Sequence, residues 1–185
     1  MHHYVAFLRG INLGKRRIKM DVLRALFEEM KFARVGTFIA SGNVIFSSKE
    51  ADEPKLTQRI EQHLRAALGY SVDTFVRTRA EVATVAAFQP FSRDDLMAPA
   101  NSVYCSFLRE PLSVAQARGL LACRTAVDEF CVEAREFYWL CRIKSSESKV
   151  WASPQMRALK LPSSSMRNLT TIRKLAAQFP AIATE

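Results

Sequence analysis

The predicted order of strands and helices is the feature that most constrains this fold. Four short runs of β-branched and aromatic residues predict strands, over residues 4–9, 35–40, 44–47 and 72–77. Apolar residues at helical spacing predict two helices, over residues 18–31 and 55–68. The order is therefore β-α-β-β-α-β, with one more short helix ending near residue 88. This is the order of the split-βαβ, or ferredoxin-like, plait.

A second copy of this order follows a proline-containing stretch at residues 89–101, which we interpret as a linker. Strands of the second copy are predicted over residues 102–108, 126–133 and 137–143. Its helices are predicted to begin at Ser113, Ser146 and Asn168. The last strand of this copy is lost or weak, and an extra C-terminal helix follows. We therefore expect an α+β protein of two tandem ferredoxin-like domains, residues 1–88 and residues 102–185.

The composition is that of a globular protein and excludes several other classes. Hydrophobic residues make up 49% and charged residues 24% of the chain, which excludes disorder and low complexity. No apolar run approaches the ~20 residues of a membrane span, and the N-terminal residues do not have the pattern of a signal peptide. We therefore expect a cytoplasmic protein without a membrane partner.

Cysteines and histidines give no pattern that points to a metal or to nucleophilic catalysis. The four cysteines lack the short spacing of a zinc site. None of the three histidines lies beside an obvious nucleophile. No metal, no cofactor and no catalytic residue is predicted, and no feature of the sequence indicates an oligomeric state.

The net charge of +9 is concentrated near the two ends of the chain. Residues 9–24 carry six basic residues and one acidic residue, and residues 142–174 carry eight and one. The stretch between them is nearly neutral. Such basic segments attract phosphate groups or anionic polymers, although they also serve simply to keep surfaces soluble.

Three polar segments are candidates for ligand contact. Residues 9–15 follow the first strand and combine two glycines with Arg and Lys, as an anion-binding turn would, although the spacing of a Walker or dinucleotide loop is absent. Residues 41–43 are first of all a hairpin turn, with ligand contact as the alternative. Residues 167–171 begin the last helix, where Asn168 is an N-cap beside two hydroxyls and Arg167.

For every one of these segments the alternative is that its residues only build turns and caps. The candidate anion-binding or phosphate-binding residues are Arg9, Gly10, Asn12, Lys15, Lys19, Ser41, Asn43, Lys149, Arg167, Asn168 and Thr171.

The same segments carry a resemblance to a known family. Residues 4–12 (YVAFLRGIN), residues 37–46 (TFIASGNVIF), Ser148-Lys149, and Arg167-Asn168 with Thr171 are similar to its opening stretch, its central hairpin and its C-terminal pattern. The family is the mostly bacterial domain of unknown function sixteen-ninety-seven (DUF1697). The resemblance implies a tandem of two plait-like α+β domains, and it implies no activity.

Three functions fit the sequence, and the first is favoured. It is a binding module for nucleic acid or for a phosphate-bearing ligand, acting through a basic surface. The second is an enzyme acting on a small anionic or phosphorylated substrate, but no general base stands out, and Lys19 would serve only if it were buried. The third is a structural or interaction protein with no small ligand.

Overall fold

Four antiparallel strands form the first sheet: β1 (His2–Leu8), β2 (Ala33–Phe38), β3 (Asn43–Ser48) and β4 (Thr74–Thr78). Their order across the sheet is β2-β3-β1-β4, so that β1 and β3 are central. Three helices accompany them: α1 (Met20–Glu29), α2 (Glu53–Leu68) and α3 (Arg79–Ala87). The computed structural model describes residues 1–12, 14, 16–39 and 42–182, without the side chains of residues 179–182.

One face of the first sheet is covered by α1 and α2. Tyr4, Ala6 and Leu8 alternate along β1 toward this face, as the period of a strand requires. Buried side chains of the two helices meet them: Leu23 and Phe27 from α1, and Leu56, Ile60 and Leu64 from α2. The helical spacing that predicted α1 and α2 is therefore the spacing of their core contacts.

The second sheet also contains four antiparallel strands: β5 (Ser102–Phe107), β6 (Asp128–Glu133), β7 (Glu136–Cys141) and β8 (Ser165–Asn168). Their order is β6-β7-β5-β8. The accompanying helices are α4 (Arg93–Met97), α5 (Val114–Ala122), α6 (Pro154–Ala158) and α7 (Leu169–Ile182), and a short 3-10 turn covers Val150–Ala152. Across the described residues the protein is thus mixed α+β, with two four-stranded antiparallel sheets and seven helices.

One sequence-based expectation about this region is wrong. The last strand of the second copy is present, because β8 pairs with β5 along Tyr104–Phe107. The stretch 89–101, interpreted as a linker, contains α4, whose first turn is capped by the Ser92 side chain.

Aromatic side chains build the core of the second sheet. Trp139 on β7 stacks on Tyr104, with ring centroids 5.1 Å apart. Trp151 meets Trp139 edge-on at 5.4 Å and Phe130 edge-on at 5.7 Å. Edge-on and offset-stacked contacts at these distances are the favourable arrangements of aromatic pairs.

The second sheet repeats the plan of the first in detail. Tyr4 pairs with Phe46 across β1 and β3, and Tyr104 pairs with Trp139 across β5 and β7. The hydrogen bond from Leu8 N to Gly42 O, 2.8 Å, joins the end of β1 to the next hairpin turn. Leu108 N donates in the same way to Arg135 O at 2.9 Å.

The chain divides into two compact units. The first unit comprises residues 1–86 together with the residues from Arg173 onward, and the second comprises residues 87–172. Helix α7 thus contributes residues to both units. No helix in the described ranges is long and apolar enough to cross a membrane.

Candidate functional site

The loop between β1 and α1 is held by a hydrogen bond to the segment before β4 and by another within the loop. Arg9 N donates to Asp73 O at 2.9 Å, and the Asn12 side chain accepts from Ile18 N at 2.8 Å. Gly10 has a φ of 67°, a left-handed conformation that glycine adopts readily. Asn12 therefore helps to close the loop through its side-chain oxygen.

The loop carries several positive side chains, and most of them are exposed. Arg9 lies 3.3 Å from the Asp73 carboxylate in an exposed ion pair. The Arg16 guanidinium lies over the Tyr70 ring at 4.2 Å, and Arg17 donates to the carbonyls of Asn12 and Arg16. Lys19 is exposed, which removes the condition under which it could act as a base.

Arg16, Arg17 and Lys19 form no ion pair with any acidic residue that the structure describes. Because an exposed pair such as Arg9–Asp73 is weak and competes poorly with a polyanion, it does not block the loop. We call residues 9–19 the basic loop; Lys15 within it lies outside the described residues.

The hairpin turn between β2 and β3 adjoins the basic loop in the first unit. Besides the bond from Leu8 N to Gly42 O, a Cβ placed on Gly42 would lie 2.7 Å from Ile11 Cγ2. Asn43 is fully buried, and its Nδ2 donates to Phe38 O at 3.1 Å. The first two candidate segments are thus neighbours, but Asn43 holds strands together. Ser41 lies outside the described residues.

The third candidate segment belongs to the second unit. Arg167 on β8 donates from Nη1 to Ser165 Oγ at 3.0 Å and to Met166 O at 2.8 Å. Burial of the guanidinium lowers the pKa of Arg167 to about 10. Asn168 accepts from Thr170 N at 2.9 Å, which is the predicted cap of α7, and Thr171 is partly buried in the first turn. These bonds favour a role of Arg167 and Asn168 in the fold.

Lys149 lies at a cavity of about 400 Å³ in the second unit. Arg124, Asp128 and Ser148 line the same cavity. Sequence reasoning named Lys149 but missed Arg124 and Asp128, because neither belongs to a motif and both lie more than twenty residues from Lys149. No group of three or more histidine, cysteine or acidic side chains suited to a metal ion occurs among the residues described.

Comparison with known proteins agrees with the fold and covers the N-terminal segments of the resemblance, residues 4–12 and 37–46. The chain resembles a solved structure, the conserved bacterial protein SP0830 from Streptococcus pneumoniae, with a TM-score of 0.74 and 18% identity over 97% of this chain and 99% of that one. That likeness shows the fold alone. No curated protein matches the chain. Residues 1–138 match the family described as Protein of unknown function (DUF1697). The resemblance seen in the sequence is confirmed, and the chain belongs to the DUF1697 family.

Proposed function

We propose that this protein binds a phosphate-bearing ligand through the basic loop. The observation that supports it is the set of exposed cations at Arg16, Arg17 and Lys19, which no described acidic residue balances. Guanidinium groups suit phosphate because their N–H donors match its oxygens in pairs. A phosphate backbone would bind there by releasing its counterions.

The ligand meets the loop from solvent, because these side chains stand on the surface and not in a closed cavity. Asn12 and Asn43 keep the loop and the neighbouring turn in place by their bonds to Ile18 N and Phe38 O. Gly10 allows the backbone to turn after β1, so that Arg9 and the cations of residues 16–19 share one loop. An extended polyanion fits such a surface better than a compact metabolite does.

The experiment compares a loop variant with a charge-matched control. The loop variant is R16Q/R17Q/K19Q, and the control K49Q/R65Q/R118Q removes three exposed cations elsewhere. Fluorescence polarisation with a labelled single-stranded RNA and a labelled duplex DNA measures binding at several salt concentrations. Inorganic pyrophosphate, followed by thermal shift, tests a small phosphorylated ligand.

We expect the loop variant to lose at least tenfold in affinity for a nucleic acid. The slope of the logarithm of the binding constant against the logarithm of the salt concentration should be smaller by about three. The control should keep most of the affinity and the slope. Equal losses in both variants would show that total charge and not the loop binds the probe. Absence of binding by every probe at low salt would overturn the proposal.

We further propose that each unit is a ferredoxin-like plait and that the protein works in the cytoplasm. The strand orders β2-β3-β1-β4 and β6-β7-β5-β8, with α1 and α2 on one face of the first sheet, support the plait. The four cysteines are free thiols, which suits a reducing compartment.

A further inference from the structure

We propose a second binding site, in the second unit, for a small molecule that joins one anionic group to an apolar body. The site is the cavity at Lys149, whose volume of about 400 Å³ lies within the range of small-molecule pockets. It lies between the end of α5, the start of β6 and the segment that follows β7. Nothing in the proposed function of the basic loop requires this cavity.

Two cations at this cavity have no counterion in the described part of the chain. Arg124 and Lys149 are exposed, and neither forms an ion pair or a side-chain hydrogen bond there. In contrast, Glu147 lies 3.9 Å from Lys144, an exposed lysine that does not line the cavity. The cavity therefore presents two cations without an ion-pair partner among the described residues, which favours an anionic ligand.

Asp128 is the other acidic residue at this cavity, and both oxygens of its carboxylate accept hydrogen bonds. Trp139 Nε1 and Ser148 Oγ donate to Oδ1 at 2.9 and 2.7 Å, and Thr125 Oγ1 donates to Oδ2 at 2.8 Å. The side chain is 2% exposed. Three donors stabilise the buried carboxylate, so that it does not need Arg124 or Lys149 as a partner.

The hydrogen bonds of Ser148 and Ser153 hold the backbone on both sides of Lys149. Ser148 Oγ, besides its bond to Asp128, accepts from Val150 N at 3.3 Å. Ser153 Oγ donates to Val150 O at 2.7 Å. The apolar wall of the cavity is formed by Val127, Ile143 and Val150. A ligand would thus place its anionic group at Arg124 and Lys149 and its apolar body against these three side chains.

The test uses phenyl phosphate as the probe, with three companions. Benzoate replaces phosphate by carboxylate, inorganic phosphate lacks the apolar body, and phenol lacks the charge. Each is titrated into isotope-labelled full-length protein, and amide chemical shifts are followed by NMR. The variants are Arg124→Gln and Lys149→Gln, and the control is Arg157→Gln, an exposed arginine of α6 outside the cavity.

We expect phenyl phosphate to shift the amides of residues 123–128 and 143–155 and to bind more tightly than inorganic phosphate or phenol. Either cavity variant should weaken it at least tenfold, while Arg157→Gln and the loop variant R16Q/R17Q/K19Q should bind it as the parent does. A stronger response to benzoate would identify the anionic group as a carboxylate. The proposal is overturned if neither phenyl phosphate nor benzoate shifts these amides, or if Arg157→Gln weakens binding as much as Lys149→Gln does.

Discussion

Arg77 and Arg167 occupy the same position in the two sheets. Arg77 on β4 lies opposite Val5 on β1, and Arg167 on β8 lies opposite Cys105 on β5. In both, Nη1 donates to the carbonyl of the preceding residue at 2.8 Å. Arg77 is 1% exposed and lies 4.0 Å from Glu53. The repeat indicates that Arg167, a candidate ligand residue, belongs to the fold.

Replacing either arginine by methionine should therefore lower the free energy of unfolding. We expect a loss of about 1–3 kcal/mol for Arg77→Met, because Val76 O loses its donor and the partly buried Glu53 loses its ion-pair partner. Arg167→Met should cost about 1–2 kcal/mol, because Ser165 Oγ and Met166 O lose their donor. Urea unfolding measures both, with the exposed Arg118→Met as the control near zero. An Arg167→Met variant as stable as the parent would contradict this role in the fold and would favour ligand binding by Arg167.

Gly42 should be far less replaceable than Gly10. Both have positive φ, 72° and 67°, so alanine costs about 1–2 kcal/mol of backbone strain at either position. At Gly42 the new Cβ would also lie 2.7 Å from the buried Ile11, whereas at Gly10 nothing lies within 4 Å. Overpacking adds about 1–3 kcal/mol. Thermal unfolding should show the larger fall in Tm for Gly42→Ala, and equal falls would contradict the close approach of the turn to Ile11.

The ion pair of Arg142 should stabilise the protein at neutral pH and not in acid. Arg142 donates to both oxygens of Asp95, at 2.9 and 3.1 Å, and this hydrogen bonding holds the pKa of Asp95 below its ordinary 3.8. Since the folded pKa is the lower one, the contribution is present above about pH 3.8 and is lost as the pH falls through the folded value. Arg142→Met should cost about 1 kcal/mol at pH 7 by urea unfolding, with a smaller cost near pH 3. The same cost at both pH values would refute this assignment.

Alkaline conditions should destabilise the second unit through its thiols. Burial raises the pKa of Cys123, Cys131 and Cys141 above the ordinary value of 9.0. The unfolded chain loses these protons first, so the free energy of unfolding falls as the pH rises past about 9, by at most about 1.4 kcal/mol per thiol and pH unit. Urea unfolding at about pH 8 and pH 10 checks the fall. Cys141→Ala should fall less steeply, and a parent that is equally stable at both pH values would contradict the prediction.

Periodicity predicted most strands and helices but failed where tertiary contacts decide. The run Ser165–Asn168 contains no β-branched residue, and it is a strand because it pairs with β5. Helix α4 has only five residues, too few for a periodic pattern to appear. Both elements depend on contacts that a linear pattern does not contain.

The candidate site was predictable only in part, for a similar reason. The charge of the basic loop is readable from the sequence. Whether an asparagine such as Asn43 faces solvent or a buried carbonyl depends on strand register. The sequence favoured a turn position for Asn43, whereas its side chain donates to Phe38 O. Arg124 and Lys149 share a cavity because β6 and β7 form a hairpin between them, and their spacing gives no signal of this.

The packing of Trp139 against Trp151 has a practical consequence for following the folding of this chain. These are its two tryptophans, and both lie in the second unit. Tryptophan fluorescence therefore reports the second unit alone, whereas far-ultraviolet circular dichroism reports the helices of both. Denaturation curves from the two signals coincide if the units melt together and separate if they melt independently. The chain thus contains a built-in spectroscopic label for deciding whether its two sheets form one cooperative system.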